Sequence, residues 1–348
     1  MNRFHSLSIS EKTQLTPDAI SLTFDLPSEL ADQYQFTAGQ YLTLQAEVEG
    51  QSIRRAYSLC EAPGSGALKV GIKRVAGGLF SNFAFDRLAV GDTLEVMPPQ
   101  GQFTWSKQLG GEALLLVAAG SGITPVLSIL QEALADNAIK QIALLYGNRS
   151  AADSMFRDTL LALQELHPNR FQLIEVFSRE KQDNALFGRI GKPIVNYMLK
   201  SRLADWTFDH YYLCGPEEMI DEVSQTLKDA GNSKDQIHFE LFTTSSEELT
   251  SELPTGKTKV QVILDDEEAS FVMDASSTVL EAALKEGLDA PYSCQGGICS
   301  TCIARVTEGK VSMKKNQILT DDELEDGLIL ACQSHPETPV LSIDFDDV

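Results

Sequence analysis

The sequence has no apolar run long enough to cross a bilayer. About 20 consecutive apolar residues are needed for that, and the longest run here, Ala113–Ala119, is the size of a single strand. Basic residues are also scarce: 28 Lys and Arg stand against 50 Asp and Glu, a net charge of −22. Nucleic-acid binding needs clustered Lys and Arg for the phosphates, so that function class is excluded. Residues 1–10 lack a basic stretch followed by an apolar core, so no secretory signal is expected and the cytoplasm is the expected location. Internal repeats and low-complexity tracts are missing too, which argues against a solenoid or a disordered linker protein.

What is present reads as an ordinary folded chain of 348 residues, long enough for two or three domains at roughly 100–200 residues each. The first hundred residues carry short β-branched and aromatic runs at 20–26, 41–46 and 67–72. Turn signals separate them: Pro17-Asp18, Pro27-Ser28, Pro63-Gly64 and Pro98-Pro99. This spacing predicts a small antiparallel barrel over 1–107. From 108 to 242 the texture changes. Ala113–Ala119 is continuously apolar, as in a strand buried on both faces. A Gly-rich turn and a helical pattern at 125–134 follow it. Strands are expected at 141–146, 171–177 and 210–213, with a helix over 151–166. Strands alternating with helices imply a parallel α/β sheet. Residues 243–257 are polar and read as a linker. In 258–348 a hairpin is expected from 259–264 and 270–273 across 265–268. A helix is expected near 278–286, with Thr278 and Glu281 spaced as a capping box.

Four of the six cysteines lie in the last 55 residues: Cys294, Cys299, Cys302 and Cys332. Cys294-x4-Cys299-x2-Cys302 with a distant fourth Cys is the plant-type spacing for a [2Fe–2S] cluster. Gly296 and Gly297 allow unusual backbone angles, so that amide N–H groups face the sulfurs. Structural zinc is the rival, but it prefers paired Cys-x2-Cys units and only one is present. None of the five histidines lies near the three-cysteine loop, which removes a Rieske-type site. Charge is concentrated in the same segment: 258–348 holds 18 acidic and 6 basic residues, a net of −12. Such acidity suits a partner with a basic patch, or serves solubility alone. Cys60 has no motif around it and reads as a packing residue.

Further motifs suggest cofactors. Arg55-Ala56-Tyr57-Ser58 offers a fork for a phosphate, an aromatic ring and a hydroxyl, and resembles the R-x-Y-S motif of the ferredoxin–NADP reductase family, which implies that they meet a flavin's phosphate, its ring and its N5. Gly77-Gly78-Leu79-Phe80-Ser81 offers N–H groups and a hydroxyl to a pyrophosphate, with Gly78 and Ser81 as the contacts. An ordinary turn is the alternative there. Lys73, after the strand at 67–72, joins the cofactor-binding candidates. Gly120-Ser121-Gly122-Ile123-Thr124-Pro125 links strand to helix; Gly removes bulk, Pro suits the first helical turn, and the helix N-terminus favours an anion. Cys214-Gly215-Pro216 follows the strand at 210–213 and resembles the C-G-P turn of the ferredoxin–NADP reductase family, which implies that Cys214 lies by the nicotinamide; a buried structural Cys is the alternative. Arg149 and Ser178-Arg179 follow two other strands, where parallel sheets form a ligand crevice. Two arginines and a hydroxyl suit the 2′-phosphate of NADPH; solvated surface arginines are the alternative, and NADH the other cofactor.

Together these stretches resemble the ferredoxin–NADP reductase superfamily with a C-terminal plant-type ferredoxin. The resemblance covers nearly the whole chain. Tyr292-Ser293-Cys294-Gln295-Gly296-Gly297-Ile298-Cys299-Ser300-Thr301-Cys302 is similar to that family's cluster loop. His238-Phe239-Glu240-Leu241-Phe242 is similar to the segment covering the flavin's second face, with Phe242 as the aromatic unless it is merely a core residue. The resemblance implies an antiparallel β-barrel FAD domain, an α/β parallel-sheet NAD(P) domain and a β-grasp [2Fe–2S] ferredoxin domain. It implies FAD, [2Fe–2S] and NADPH as cofactors, and an oxygenase component as the protein partner. Several stretches further resemble the reductase subunits of bacterial phenylacetyl-CoA epoxygenases, among them Phe4-His5-Ser6-Leu7 and Tyr146-Gly147-Asn148-Arg149. Reductases of ring oxygenases, steroid hydroxylases and desaturases share the same parts. An electron carrier with a degenerate flavin half and a terminal quinone or small-molecule reductase are the other classes. Hydride transfer from nicotinamide to flavin needs no protein acid or base, so no catalytic residue is expected.

Overall fold

The computed structural model describes residues 4–242 and 256–348. The polar stretch read as a linker lies outside the described residues as far as 255. Phe4–Phe242 forms one compact unit, and the segment from Gly256 onward belongs to a second.

The first unit opens with six antiparallel strands: β1 (His5–Thr16), β2 (Ala19–Phe24), β3 (Tyr41–Val48), β4 (Gln51–Ser58), β5 (Leu68–Lys73) and β6 (Thr93–Val96). Their order is β4-β3-β6-β1-β2-β5, and a bridge between Leu59 and Val70 brings the two edges together as a barrel. Alternation sets the faces. Along β1, Leu7 and Ile9 are buried while Ser6 and Ser10 are exposed. Leu22, Leu42, Leu44 and Val70 complete that core, and helix α1 (Leu79–Asp86) adds Phe80 and Ala84 to it.

A parallel sheet follows, built from β7 (Ala113–Ala119), β8 (Gln141–Asn148), β9 (Phe171–Phe177), β10 (Leu186–Phe187), β11 (His210–Gly215) and β12 (Ile237–Leu241). The order is β10-β9-β8-β7-β11-β12, so the winding reverses between β7 and β11. In such sheets that switch point is where the ligand crevice opens, at the strands' C-terminal ends. Central β7 is buried along nearly its whole length, which is why its sequence reads as one apolar run. The helices are α2 (Ile123–Ala135), α3 (Arg157–Leu166), α4 (Lys192–Tyr197) and α5 (Glu217–Asp229). One apolar core joins barrel and sheet: Ala38, Cys60, Phe103 and Trp105 pack with Ile123, Leu127 and Tyr212.

One helix starts later than the sequence suggests. Residues 151–153 make a single 3-10 turn, and α3 begins only at Arg157, after Phe156 at φ 56°. The interruption buries Met155 completely. A side chain on Gly71 of β5 would come within 3.0 Å of Met155 and 3.2 Å of Phe156, so the bend packs this loop on the barrel.

In the second unit the five-stranded order is β14-β13-β19-β15-β17, from β13 (Lys257–Leu264), β14 (Glu267–Asp274), β15 (Ile303–Glu308), β17 (Leu328–Leu330) and β19 (Val340–Asp344). A short β16 (Val311–Met313) pairs with β18 (Ser334–Pro336). Helix α6 (Val279–Lys285) packs Val279, Leu280 and Ala283 into the core with Val260, Val262 and Ile343, and α7 (Asp321–Glu325) lies outside. This is a β-grasp arrangement. The expected capping box is present: Glu281 N–H donates to Thr278 Oγ1 at 3.2 Å and Thr278 N–H to Glu281 Oε2 at 3.0 Å. The hairpin turn is tighter than expected. It is two residues, Asp265 and Asp266, at φ 54° and 62°, the primed geometry that matches strand twist. Among the described residues no helix is long and apolar enough to cross a membrane.

Candidate functional site

The Gly120–Gly122 turn sits at the switch point between β7 and β11. A side chain on Gly122 would collide with the Cys214 carbonyl and come within 2.9 Å of the Gly215 nitrogen. Gly is therefore required for the turn to lie on the end of β11, bringing Gly120, Ser121 and Gly122 together with Cys214, Gly215 and Pro216. Thr124 donates its hydroxyl to Ser121 O at 3.0 Å, and Thr124 and Pro125 are buried in the first turn of α2. No side chain among the described residues caps α2. The Ile123 N–H donates back to Gly120 O and Ser121 O of the preceding turn, and the helix dipole favours an anion at this end. Tyr146, fully buried, is within 3.1 Å of Gly120 O and steadies the turn from below. Cys214 is buried, and burial followed by the neighbouring Glu240 carboxylate pushes its thiol well above the ordinary range. It stays protonated at neutral pH.

Beside the turn two cations meet. The Lys73 ammonium lies 3.7 Å from where a Gly120 Cβ would stand. Burial, then the nearby Arg149, lowers its pKa. Arg149 and Arg179 are exposed at the ends of β8 and β9. Ser178 N–H donates to Asn148 O and Arg179 N–H to Arg149 O, both at 2.9 Å, so the two loops run side by side. Glu180 accepts from the Ala151 N–H at 2.9 Å and ties the loops further.

On the barrel, Arg55, Tyr57 and Ser58 follow one another along β4. Arg55 is exposed and rests one Nη on Arg54 O at 2.7 Å. Tyr57 is half-buried, its ring 5.6 Å from Phe80 of α1, and burial raises its hydroxyl pKa. Ser58 is buried at the strand end. Gly78 is the N-cap of α1, and Ser81 Oγ accepts from the Val75 N–H at 3.1 Å, fixing the preceding turn. No described side chain caps this helix either, so its first turn offers free N–H groups. Phe242, the last described residue of this unit, is partly buried against the core shared by barrel and sheet. Cys60 is buried in that same core.

In the second unit the four cysteines converge. Cys294 interacts with Cys299 and with Cys332, and Cys332 with Cys302, so the sulfurs form one connected group. Cys299, Cys302 and Cys332 are buried. Gly296 N–H donates to Cys294 Sγ at 3.3 Å, and Gln295 and Gly297 hold left-handed backbone at φ 53° and 71°. Contact with Cys294, then burial, pushes the Cys299 thiol well up. As a free thiol Cys299 keeps its proton; metal binding releases it. Four thiols, three of them buried, with backbone N–H groups turned toward Cys294 and Cys332, are the kind of donors an iron–sulfur group takes.

Three residues near these sites are given no role by the sequence motifs that contain or adjoin them. Glu240 lies opposite Cys214 in the β11–β12 register and is buried. Tyr146 reaches under the Gly120 turn. Gln333 contacts the cysteine loop. None of the three leaves a sequence signal: the alternation of Ile237, Phe239 and Leu241 puts Glu240 among the polar positions, yet Glu240 is buried while Phe239 is exposed.

Comparison with known proteins agrees with this geometry. Residues 6–105 match an oxidoreductase FAD-binding domain, 116–225 an oxidoreductase NAD-binding domain, and 262–337 a 2Fe-2S iron–sulfur cluster binding domain. The chain is 38% identical over 351 residues to a subunit of the 1,2-phenylacetyl-CoA epoxidase of Escherichia coli K12, covering 99% of each. It is 35% identical to the ferredoxin reductase component of the Rhodococcus rhodochrous 3-ketosteroid-9-alpha-monooxygenase, covering 97% of this chain and 96% of that one. Its fold is shared with phthalate dioxygenase reductase at a TM-score of 0.62 and 24% identity, covering 98% of both. Barrel, parallel sheet and β-grasp thus define an NAD(P)H-dependent flavin and iron–sulfur oxidoreductase. Within that class the chain belongs to the family of oxygenase reductase components, all three domains being carried on one polypeptide.

Proposed function

We propose that the protein takes electrons preferentially from NADPH and delivers them singly to the oxygenase of a phenylacetyl-CoA epoxidase system. The observation that carries the NADPH reading is the backbone pairing of Arg179 with Arg149, which sets two guanidinium groups on neighbouring loops. A 2′-phosphate is the part of NADPH that NADH lacks, and charge-assisted hydrogen bonds to it discriminate strongly. The oxygenase reading is supported by 38% identity over essentially the whole of a relative bearing that name.

The chain's own residues then divide the work. Residues 1–107 hold FAD, 108–242 NADPH, and the segment from Lys257, where β13 begins, the cluster. Arg55 pairs with the flavin phosphates; Gly78 and Ser81 offer the first turn of α1 to the diphosphate. Tyr57 and Phe242 lie against the ring system, and Ser58 hydrogen-bonds near N5. Gly120, Ser121, Gly122, Thr124 and Pro125 present the α2 N-terminus to the NADPH pyrophosphate, with Lys73 beside it. Cys214, Gly215 and Pro216 border the nicotinamide; the protonated Cys214 thiol neither donates negative charge nor attacks. Cys294, Cys299, Cys302 and Cys332 hold the iron. When bound, FAD accepts two electrons as hydride and returns them one at a time, which is what a [2Fe–2S] acceptor requires. The cytoplasm, where NADPH is available, suits this role. Reconstitution with the phenylacetyl-CoA oxygenase, comparing NADPH with NADH, tests both halves. No product with that oxygenase removes the partner; equal kcat/KM with both nucleotides removes the preference.

A further inference from the structure

We infer that Gln333 is a positioning residue that raises the reduction potential of the iron–sulfur group by donating its side-chain amide toward the Cys332 sulfur. The inference rests on reading the four cysteines as ligands. Gln333 directly follows Cys332, and its backbone is pinned at both ends: its N–H donates to Leu330 O at 2.9 Å and its carbonyl accepts from Lys314 N–H at 3.0 Å. The side chain folds back over the cysteine loop. Its Nε2 is 3.1 Å from Gln295 O, 3.0 Å from Cys332 O and 3.7 Å from Cys332 Sγ. The loop makes room for it. A side chain on Gly297 would lie 2.8 Å from Gln333 Cγ, so the Gly at φ 71° admits the glutamine. The amide is thereby held between a loop carbonyl and a ligand sulfur.

The consequence follows from charge. One-electron reduction adds a negative charge that spreads onto the thiolate sulfurs. A fixed N–H donor near one sulfur stabilises the reduced state more than the oxidised one, and hydrogen bonds to sulfur are among the groups that set such potentials. Gln333 carries no net charge, so the effect comes from its dipole and its proton.

The test uses the full-length holoenzyme with Gln333→Met, which keeps length and neutrality but has no N–H, and Gln333→Leu as a second variant. The cluster midpoint is read by EPR-monitored redox titration after iron content is matched. The reduction equilibrium is expected to fall roughly tenfold, a shift of about 59 mV to lower potential for one electron. The FAD midpoint and NADPH-driven ferricyanide reduction are expected to stay unchanged. An unchanged or higher cluster midpoint in both variants overturns the inference. So does failure of both to assemble a cluster, because a residue that only tunes potential leaves four thiolates able to build it. A wild-type protein without an iron–sulfur EPR signal would instead overturn the ligand reading, a separate result.

Discussion

Arg179 donates its backbone N–H to the carbonyl of Arg149 at 2.9 Å, so two arginines from different strands leave the sheet side by side. Each guanidinium is exposed and free to meet an anion in the crevice. A charge-assisted hydrogen bond contributes on the order of 1.5–3 kcal/mol. Arg149→Ala and Arg179→Ala are each expected to lower kcat/KM for NADPH by about tenfold to a hundredfold. NADH, lacking the phosphate, should be nearly unaffected. The double variant should lose less than the sum, because both charges act on one anion. Equal losses with both nucleotides would assign these arginines to the fold or to the shared pyrophosphate.

Gly122 allows the strand-to-helix turn to lie on Cys214 and Gly215. Gly122→Ala inserts a methyl where the β11 backbone already stands. Overpacking of this kind costs about 1–3 kcal/mol, and backbone cannot yield as a flexible side chain would. The melting temperature of the first unit should drop, and the rate of flavin reduction by NADPH should fall. The iron–sulfur absorption, which belongs to the other unit, should be unchanged. Stopped-flow reduction with a thermal melt decides; normal reduction kinetics would show that the turn tolerates the shift.

Acidic groups crowd the second unit, with Asp321, Asp322, Glu325 and Asp326 exposed around α7. Exposed charges act over about 8–10 Å at ordinary ionic strength. If they steer a basic face of the oxygenase, turnover with that partner should fall with added salt, mainly through the association rate. Asp321→Asn combined with Asp322→Asn should flatten the salt dependence. A salt-independent rate would leave the charge as a solubility feature.

The parts most legible in the sequence are those whose causes are local. The apolar run of β7 followed by Gly-x-Gly and Pro125 reads directly as a buried strand entering a helix. Thr278 and Glu281 announce α6 by their spacing. Non-local causes stay hidden. Phe156 takes a left-handed conformation because Met155 and Phe156 are drawn onto Gly71 of the barrel, and nothing within 151–166 records that. The Asp265-Asp266 turn is fixed by the carboxylate of Asp346, which accepts both turn N–H groups at 3.0 and 2.8 Å from 80 or more residues away. Its strand also begins with the polar pair Glu267-Glu268, which disguises it as loop. Likewise the candidate arginines can be named from their strands, but their backbone pairing depends on β8 lying beside β9. Gln333 needs the folded loop before it can be noticed at all.

Cys299→Ser should divide the reaction into its two halves. Cys299 is buried and interacts with Cys294, and its sulfur lies 3.5 Å from Thr301 Oγ1. A serine hydroxyl is a harder and far less acidic donor than a thiol, so one of four iron bonds is lost or weakened, and the cluster should not persist. The damage should stop there. The core around Val260, Leu280 and Ile343 is separate from the two cores of the first unit, and that unit carries every residue proposed for FAD and NADPH. NADPH should therefore still bleach the flavin, and ferricyanide, which accepts electrons from flavin, should still be reduced near the wild-type rate. Cytochrome c reduction and oxygenase turnover should fall by at least tenfold. The comparison is internal to one preparation: flavin bleaching by stopped flow, iron by assay, oxygenase product by chromatography. Unchanged delivery to the oxygenase in an iron-free variant would mean that electrons leave the flavin by a route that bypasses the four cysteines.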